Sequence, residues 1–220
     1  MNKLNFNVQI LGEMATGKTS ILNRFFNNAF NESYMTTVGI SVYTKAIQLK
    51  NLEIGLKVFD TCGQERFHSL SLNNVRKCQG LIIVYDATDK PSFDKIETWI
   101  TKLSNVISLE ECQLVLVGNK SDLQSVVSED NVKELVKKYN NINLDYFFIS
   151  AKTNINITES FLCLIKKMLI AHEVEFDEEE LNNNCLTSKP LGNIEQMNQE
   201  GSKGIKLNAN LTEKKKKKCC

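Results

Sequence analysis

The chain has 220 residues, 42% of them hydrophobic and 24% charged, which suits one globular domain of ordinary size with a tail. A formal net charge of +1 at pH 7 supplies no global attraction to nucleic acid, and no nucleic-acid partner is expected. The N-terminus carries no leader pattern and no apolar run approaches the length of a bilayer span, which points to the cytosol. Cys62, Cys78, Cys112, Cys163 and Cys185 are scattered, with Cys219 and Cys220 adjacent at the end, so neither a disulfide framework nor a zinc motif is expected. His68 and His172 are read as ordinary surface residues.

In chain order, "FNVQIL" (6–11) predicts a strand and "KTSILNRFF" a helix starting at Lys18. Residues 41–60 alternate in period two on either side of a turn near 50–53, the pattern of an antiparallel hairpin. "LIIVYDAT" (81–88) and "LVLVGNK" (114–120) are continuous β-rich runs, suited to strands buried on both faces of a parallel sheet. Phe93, Ile96, Ile100, Leu103 and Ile107 recur at helical spacing. So do Val132, Leu135, Val136 and Tyr139, and again Ile157, Phe161, Leu164, Ile165 and Met168. "YFFIS" (146–150) adds one more strand. Strands alternating with helices predict an α/β domain, here residues 1–171, followed by a disordered polar tail over 172–220.

The motifs fall at strand ends, where ligands of open α/β sheets bind. Gly12 to Thr19 fits GxxxxGK[ST] between a strand and a helix. The loop Gly12, Glu13, Met14, Ala15, Thr16, Gly17, Lys18, Thr19 and Ser20 is therefore a candidate phosphate cradle. Backbone N–H groups face phosphate oxygens, Lys18 reaches the β- and γ-phosphates and the Thr19 hydroxyl ligates Mg²⁺. In "DTCGQE" (60–65), Asp60 at a strand end can hold Mg²⁺ through water, Gly63 can bring a backbone N–H to the γ-phosphate and Gln64 can orient an attacking water. Taken alone, that stretch is a polar turn. "GNKSD" (118–122) supplies Asn119, Lys120 and Asp122; the Asp122 carboxylate accepts from both guanine donors, a pair that adenine lacks. "SAK" (Ser150, Ala151, Lys152) places a backbone N–H near the guanine O6.

In this order, these motifs resemble the Ras-like small GTPases, a group of P-loop NTPases, over residues 5–171. "FDTCGQERFHSL", "ETWI" and the terminal "CC" are similar to the Rab branch. The resemblance implies a six-stranded, mostly parallel sheet with one antiparallel strand, flanked by helices. It implies GTP and GDP as ligands, with Mg²⁺ held by Thr19, Thr37 and, through water, Asp60. It also implies two nucleotide-sensitive segments, around 30–40 and 61–76, with Phe30 edgewise on the guanine and the Lys120 stem along the base. Exchange factors, GTPase-activating proteins and effectors are implied at 30–45 and 60–77. No arginine is placed to act on the γ-phosphate in cis, so hydrolysis is expected to be slow; a finger from a partner is worth about 10³–10⁵ in rate.

"KKKKKCC" is not a CaaX box. Read alone, it is a solvated basic tail or a nuclear-localisation patch. Beside a Rab-like core, Cys219 and Cys220 resemble a double geranylgeranylation signal, which implies the prenylation escort and transferase machinery. The lysines then face an anionic membrane, on the cytosolic side of an endomembrane. Val42, Phe59 and Asn74 stand where Rab proteins present an aromatic triad to effectors, as drift or as a private partner surface. The alternative to a trafficking switch is a GTP-bound scaffold, with hydrolysis impaired by Met14 near Gln64.

Overall fold

The computed structural model describes residues 2–32, 40–61, 74–187 and 195–197. The apolar runs become strands β1 (Asn2–Gly12), β2 (Ile40–Gln48), β3 (Leu52–Thr61), β4 (Gly80–Asp86), β5 (Gln113–Asn119) and β6 (Asp145–Phe148). They pair in the order β6-β5-β4-β1-β3-β2. β1, β3, β4, β5 and β6 are parallel, and β2 runs antiparallel to β3, so the expected six-stranded mixed sheet is present. A three-residue strand, β7 (Glu195–Met197), adds antiparallel to the outer edge of β2 at Ile40–Val42. The β2–β3 turn falls at Leu49–Leu52, closed by reciprocal backbone hydrogen bonds of 2.8 and 3.3 Å, one residue earlier than its polar residues suggest.

The continuous apolar runs are explained by a core on each face of the sheet. Ile82 and Val84 of β4 and Val115 and Val117 of β5 point to one face, while Leu81, Ile83, Tyr85, Leu114 and Leu116 point to the other. The first face is covered by α1 (Lys18–Asn27), α5 (Ile157–Ala171) and α6 (Glu178–Thr187). The second is covered by α2 (Lys90–Asp94), α3 (Ile96–Ser104) and α4 (Glu129–Lys138). The periodic stretch from Phe93 is thus two short helices meeting at Lys95, and Ile107 lies beyond the second. Helix α4 opens with a capping box between Ser128 and Asn131, which satisfies two N-terminal backbone donors.

The expectation of a disordered tail from 172 is corrected by α6. Leu181 and Cys185 sit one turn apart and are buried at 0% and 1% exposure in the core shared by β2 and α5. Val174 and Phe176 pack against the same cluster on the way. Glu178, Glu179 and Glu180 form the first turn of this helix, where carboxylates face the positive end of the dipole. Asp177 accepts from the Glu180 N–H at 2.9 Å and Glu178 pairs with Lys166 at 2.9 Å. Glu180 accepts from the Lys50 N–H at 2.9 Å, and the Asn184 amide donates to the Gln48 carbonyl at 2.6 Å. Lys45 is buried, with its Nζ 4.6 Å from the Phe25 ring centroid; desolvation lowers its pKa, partly opposed by Cys185.

The proposed effector triad is also redrawn. Val42 is 3% exposed, so it is a core residue rather than a presented one. Phe59 is half-buried under Lys57, whose Nζ lies 5.2 Å from the ring. No helix among the described residues is long and apolar enough to cross a membrane.

Candidate functional site

Strand register gathers the motifs at one edge of the sheet. Gly12 pairs with Val84, Ile10 with Asp60, and Asp86 with Asn119, so the carboxyl ends of β1, β3, β4 and β5 lie together. The loop after β1 turns away sharply because two glycines permit it. Gly12 has φ 141°, and a Cβ there would stand 2.1 Å from the Val84 carbonyl oxygen. Gly17 has φ 91°, and its Cβ would stand 2.2 Å from the Asn119 amide nitrogen. Ala15 also takes the left-handed region, with φ 63°. The loop is braced from within: Lys18 Nζ donates to the carbonyls of Gly12 (3.0 Å) and Glu13 (2.6 Å), and Thr16 Oγ1 donates to Glu13 (3.0 Å). Met14 is 53% exposed beside it, and Ser20 lies in the first turn of α1, half-buried.

Asn119 joins the phosphate side of the site to the base side. Its amide N–H donates to the Thr16 carbonyl at 2.9 Å, and its oxygen accepts from the Ala151 N–H at 3.2 Å. Asp122 is exposed and accepts from Ser150 Oγ at 2.6 Å, while that same hydroxyl accepts from the Thr153 N–H at 3.0 Å. Lys120 has φ 67° and pairs with Asp86 at 2.5 Å. Lys152 reaches Glu32 at 3.4 Å. Phe30 is partly buried against the core, 5.9 Å from the Arg24 guanidinium.

Asp60 is fully buried, and its Oδ1 has no hydrogen-bond partner among the described residues, while Oδ2 accepts from Thr19 Oγ1 at 2.6 Å. Burial raises the Asp60 pKa from 3.8 to about 6, opposed by the Thr19 hydrogen bond and by Lys18. A buried carboxylate with an orphaned oxygen beside a hydroxyl is a hard-oxygen donor set, and it fits Mg²⁺. Thr37, Gly63, Gln64, Cys219 and Cys220 lie outside the described residues.

Residues to which the sequence reading gave no role complete the site. Arg24 of α1 donates through Nε to the Ala151 carbonyl (2.9 Å) and through Nη2 to the Lys152 carbonyl (3.0 Å), fixing the last loop. Asp86 positions Lys120 and is itself held by the Thr88 N–H (2.9 Å) and hydroxyl (2.7 Å). Trp99 of α3 donates its indole N–H to Glu13 in the phosphate loop at 3.1 Å. "YDAT" and "ETWI" were visible as strings, but their partners lie far along the chain.

With this geometry in place, comparison with known proteins defines the class. The protein-family model of the Ras family matches residues 7–170. The "Ras-related protein Rab-1" of Theileria parva is 40% identical over 166 residues, covering 74% of each chain. The "Ras-related protein Rab-21" of Mus musculus is 37% identical over 171 residues, 78% of this chain and 76% of its own. The "Ras-related protein Rab-15" of Rattus norvegicus is 33% identical over 174 residues, 78% and 80% respectively. The chain belongs to the Ras family, as a divergent Rab-like small GTPase.

Proposed function

We propose that this chain binds GTP and GDP with Mg²⁺, hydrolyses GTP slowly unless a partner activates it, and acts as a membrane-attached switch in vesicle traffic. The observation that carries this reading is Asn119, whose one amide spans Thr16 in the phosphate loop and Ala151 in the base loop. Phosphate-holding and base-reading segments are thereby built as one unit. Lys18 offers its ammonium to the β- and γ-phosphates, and the loop Gly12 to Ser20 offers backbone N–H groups at a helix N-terminus. Asp122 selects guanine by accepting two donors, with Lys120 lying along the base and the Ala151 N–H at the carbonyl edge. Thr19, Thr37 and, through water, Asp60 are the residues that would hold Mg²⁺, which when bound offsets negative charge on the phosphates. Gln64 orients the attacking water, and Thr37 and the Gly63 backbone register the γ-phosphate.

Exchange factors, activating proteins and effectors are assigned to residues 30–45 and 60–77, by analogy with Rab proteins. Cys219 and Cys220 are assigned to prenylation, with the lysine run adding attraction to an anionic leaflet of about 1 kcal/mol per residue. The trafficking role is proposed by analogy with the Rab family, and the organelle is set by partners of the tail and switch surfaces.

Met14 favours one second reading, a GTP-bound scaffold. Its side chain is exposed at the loop, and by analogy with Rab proteins bulk at this position would crowd the water-orienting glutamine and an incoming arginine. A shift of about 1 Å in catalytic positioning costs roughly 10²-fold in rate. The deciding experiment is single-turnover GTP hydrolysis by the unsubstituted chain and Met14→Gly. Measurable turnover by the former supports the switch. No turnover, restored in Met14→Gly, supports the scaffold.

A further inference from the structure

Helix α3 meets the phosphate loop through a polar contact from Trp99. Trp99 is 2% exposed, so its indole N–H needs a partner inside the fold. It finds the Glu13 carboxylate at 3.1 Å, a residue 86 positions earlier in the chain. Glu13 is tied into the loop on its other side, because its carbonyl accepts from both Lys18 Nζ at 2.6 Å and Thr16 Oγ1 at 3.0 Å. Trp99 therefore bears on the residue whose carbonyl sets where the Lys18 ammonium rests. The ring is itself fixed, being packed in the core with Leu103 and Ile100, with Lys102 Nζ 5.5 Å from its centroid.

We propose that Trp99 is a positioning residue for the phosphate loop: through Glu13 it holds the loop in its nucleotide-retaining shape and couples α3 to the occupancy of the site. This rests on the guanine-nucleotide reading above. A charge-assisted hydrogen bond of this kind restrains the loop more firmly than a neutral one. Its loss is expected to speed nucleotide release by about tenfold. Because the chain contains one tryptophan, the same contact is a built-in optical reporter.

The test uses the full chain loaded with GDP and chased with excess GTP in Mg²⁺ buffer. Release rates and tryptophan emission are followed for the unsubstituted protein, Glu13→Gln, Glu13→Leu and Trp99→Phe, with unfolding midpoints for each. Gln and Leu have similar volume, but only Gln keeps an oxygen acceptor. Positioning predicts graded release: slowest in the parent, intermediate in Glu13→Gln, whose oxygen still accepts but carries no charge, and about tenfold faster than the parent in Glu13→Leu and Trp99→Phe. It also predicts that emission changes on release in the parent and in Glu13→Gln but not in Glu13→Leu. Equal release by all four proteins, or equal acceleration in Glu13→Gln and Glu13→Leu, overturns the inference and leaves the nucleotide reading intact. Failure of the unsubstituted protein to bind GDP overturns the nucleotide reading instead, and this inference with it.

Discussion

Replacing Asn119 by Ala separates what the site owes to its own architecture from what it owes to ligand. The side chain is 3% exposed and satisfies two buried backbone groups, the Thr16 carbonyl and the Ala151 N–H. Both residues are themselves buried, at 1% and 3% exposure, so water does not readily replace the amide. Each buried group left unpaired costs roughly 1–3 kcal/mol, so Asn119→Ala is expected to lose about 2–6 kcal/mol before any nucleotide is present. The assay is urea unfolding with nucleotide and metal stripped, since bound ligand adds its own stabilisation. Asp122→Asn is the matched control. Its side chain is exposed and an amide oxygen still accepts from Ser150, so its stability is expected to stay within about 0.5 kcal/mol of the parent. Guanine preference, in contrast, should collapse in Asp122→Asn, because an amide cannot accept both base donors. If Asn119→Ala unfolds within about 0.5 kcal/mol of the parent, the idea of one pre-assembled unit is wrong.

Three further outcomes follow from the same structure. The Asp60 pKa is raised in the fold, so its neutral form is favoured there; its contribution is fully present below pH 3.8 and lost as pH rises through about 6. The difference in metal-free stability between the parent and Asp60→Asn should therefore shift across that window, and a difference independent of pH refutes it. Leu181→Ala removes a fully buried side chain that docks α6, at a cost of about 2–5 kcal/mol if the helix stayed in place. The expected result is release of α6, seen as faster exchange of its amides with nucleotide binding kept, and unchanged exchange contradicts its docking. Replacing Cys219 and Cys220 with Ser should move the protein from membrane to soluble fractions in cells while GDP affinity stays the same. Retention on membranes refutes the lipid assignment.

Much of this fold was legible because its signals are local. Buried parallel strands read as unbroken apolar runs, and the β4 and β5 runs do so because both faces of the sheet carry core. The phosphate loop was legible because its chemistry needs glycines at fixed spacing, and Gly12 and Gly17 both take φ values that favour glycine. Helix α6 was hidden because, among its described side chains, only Leu181 and Cys185 are deeply buried, within an Asn-rich polar stretch. Its support comes from Gln48 and Lys50, more than 100 residues away in sequence. Arg24, Asp86 and Trp99 were missed for the same reason: each is an ordinary residue until the fold brings its partner to it. Lys120 was read as part of a motif, but the carboxylate that fixes its ammonium was not.

The most direct test of the account is displacement of bound fluorescent GDP from the purified chain by GTP, GDP, ATP and ADP, with Mg²⁺ and with chelator. The assembled loops and the orphaned Asp60 oxygen predict displacement by the guanine nucleotides alone, with release accelerated when Mg²⁺ is removed. Displacement by ATP as readily as by GTP, or release indifferent to the chelator, would contradict it.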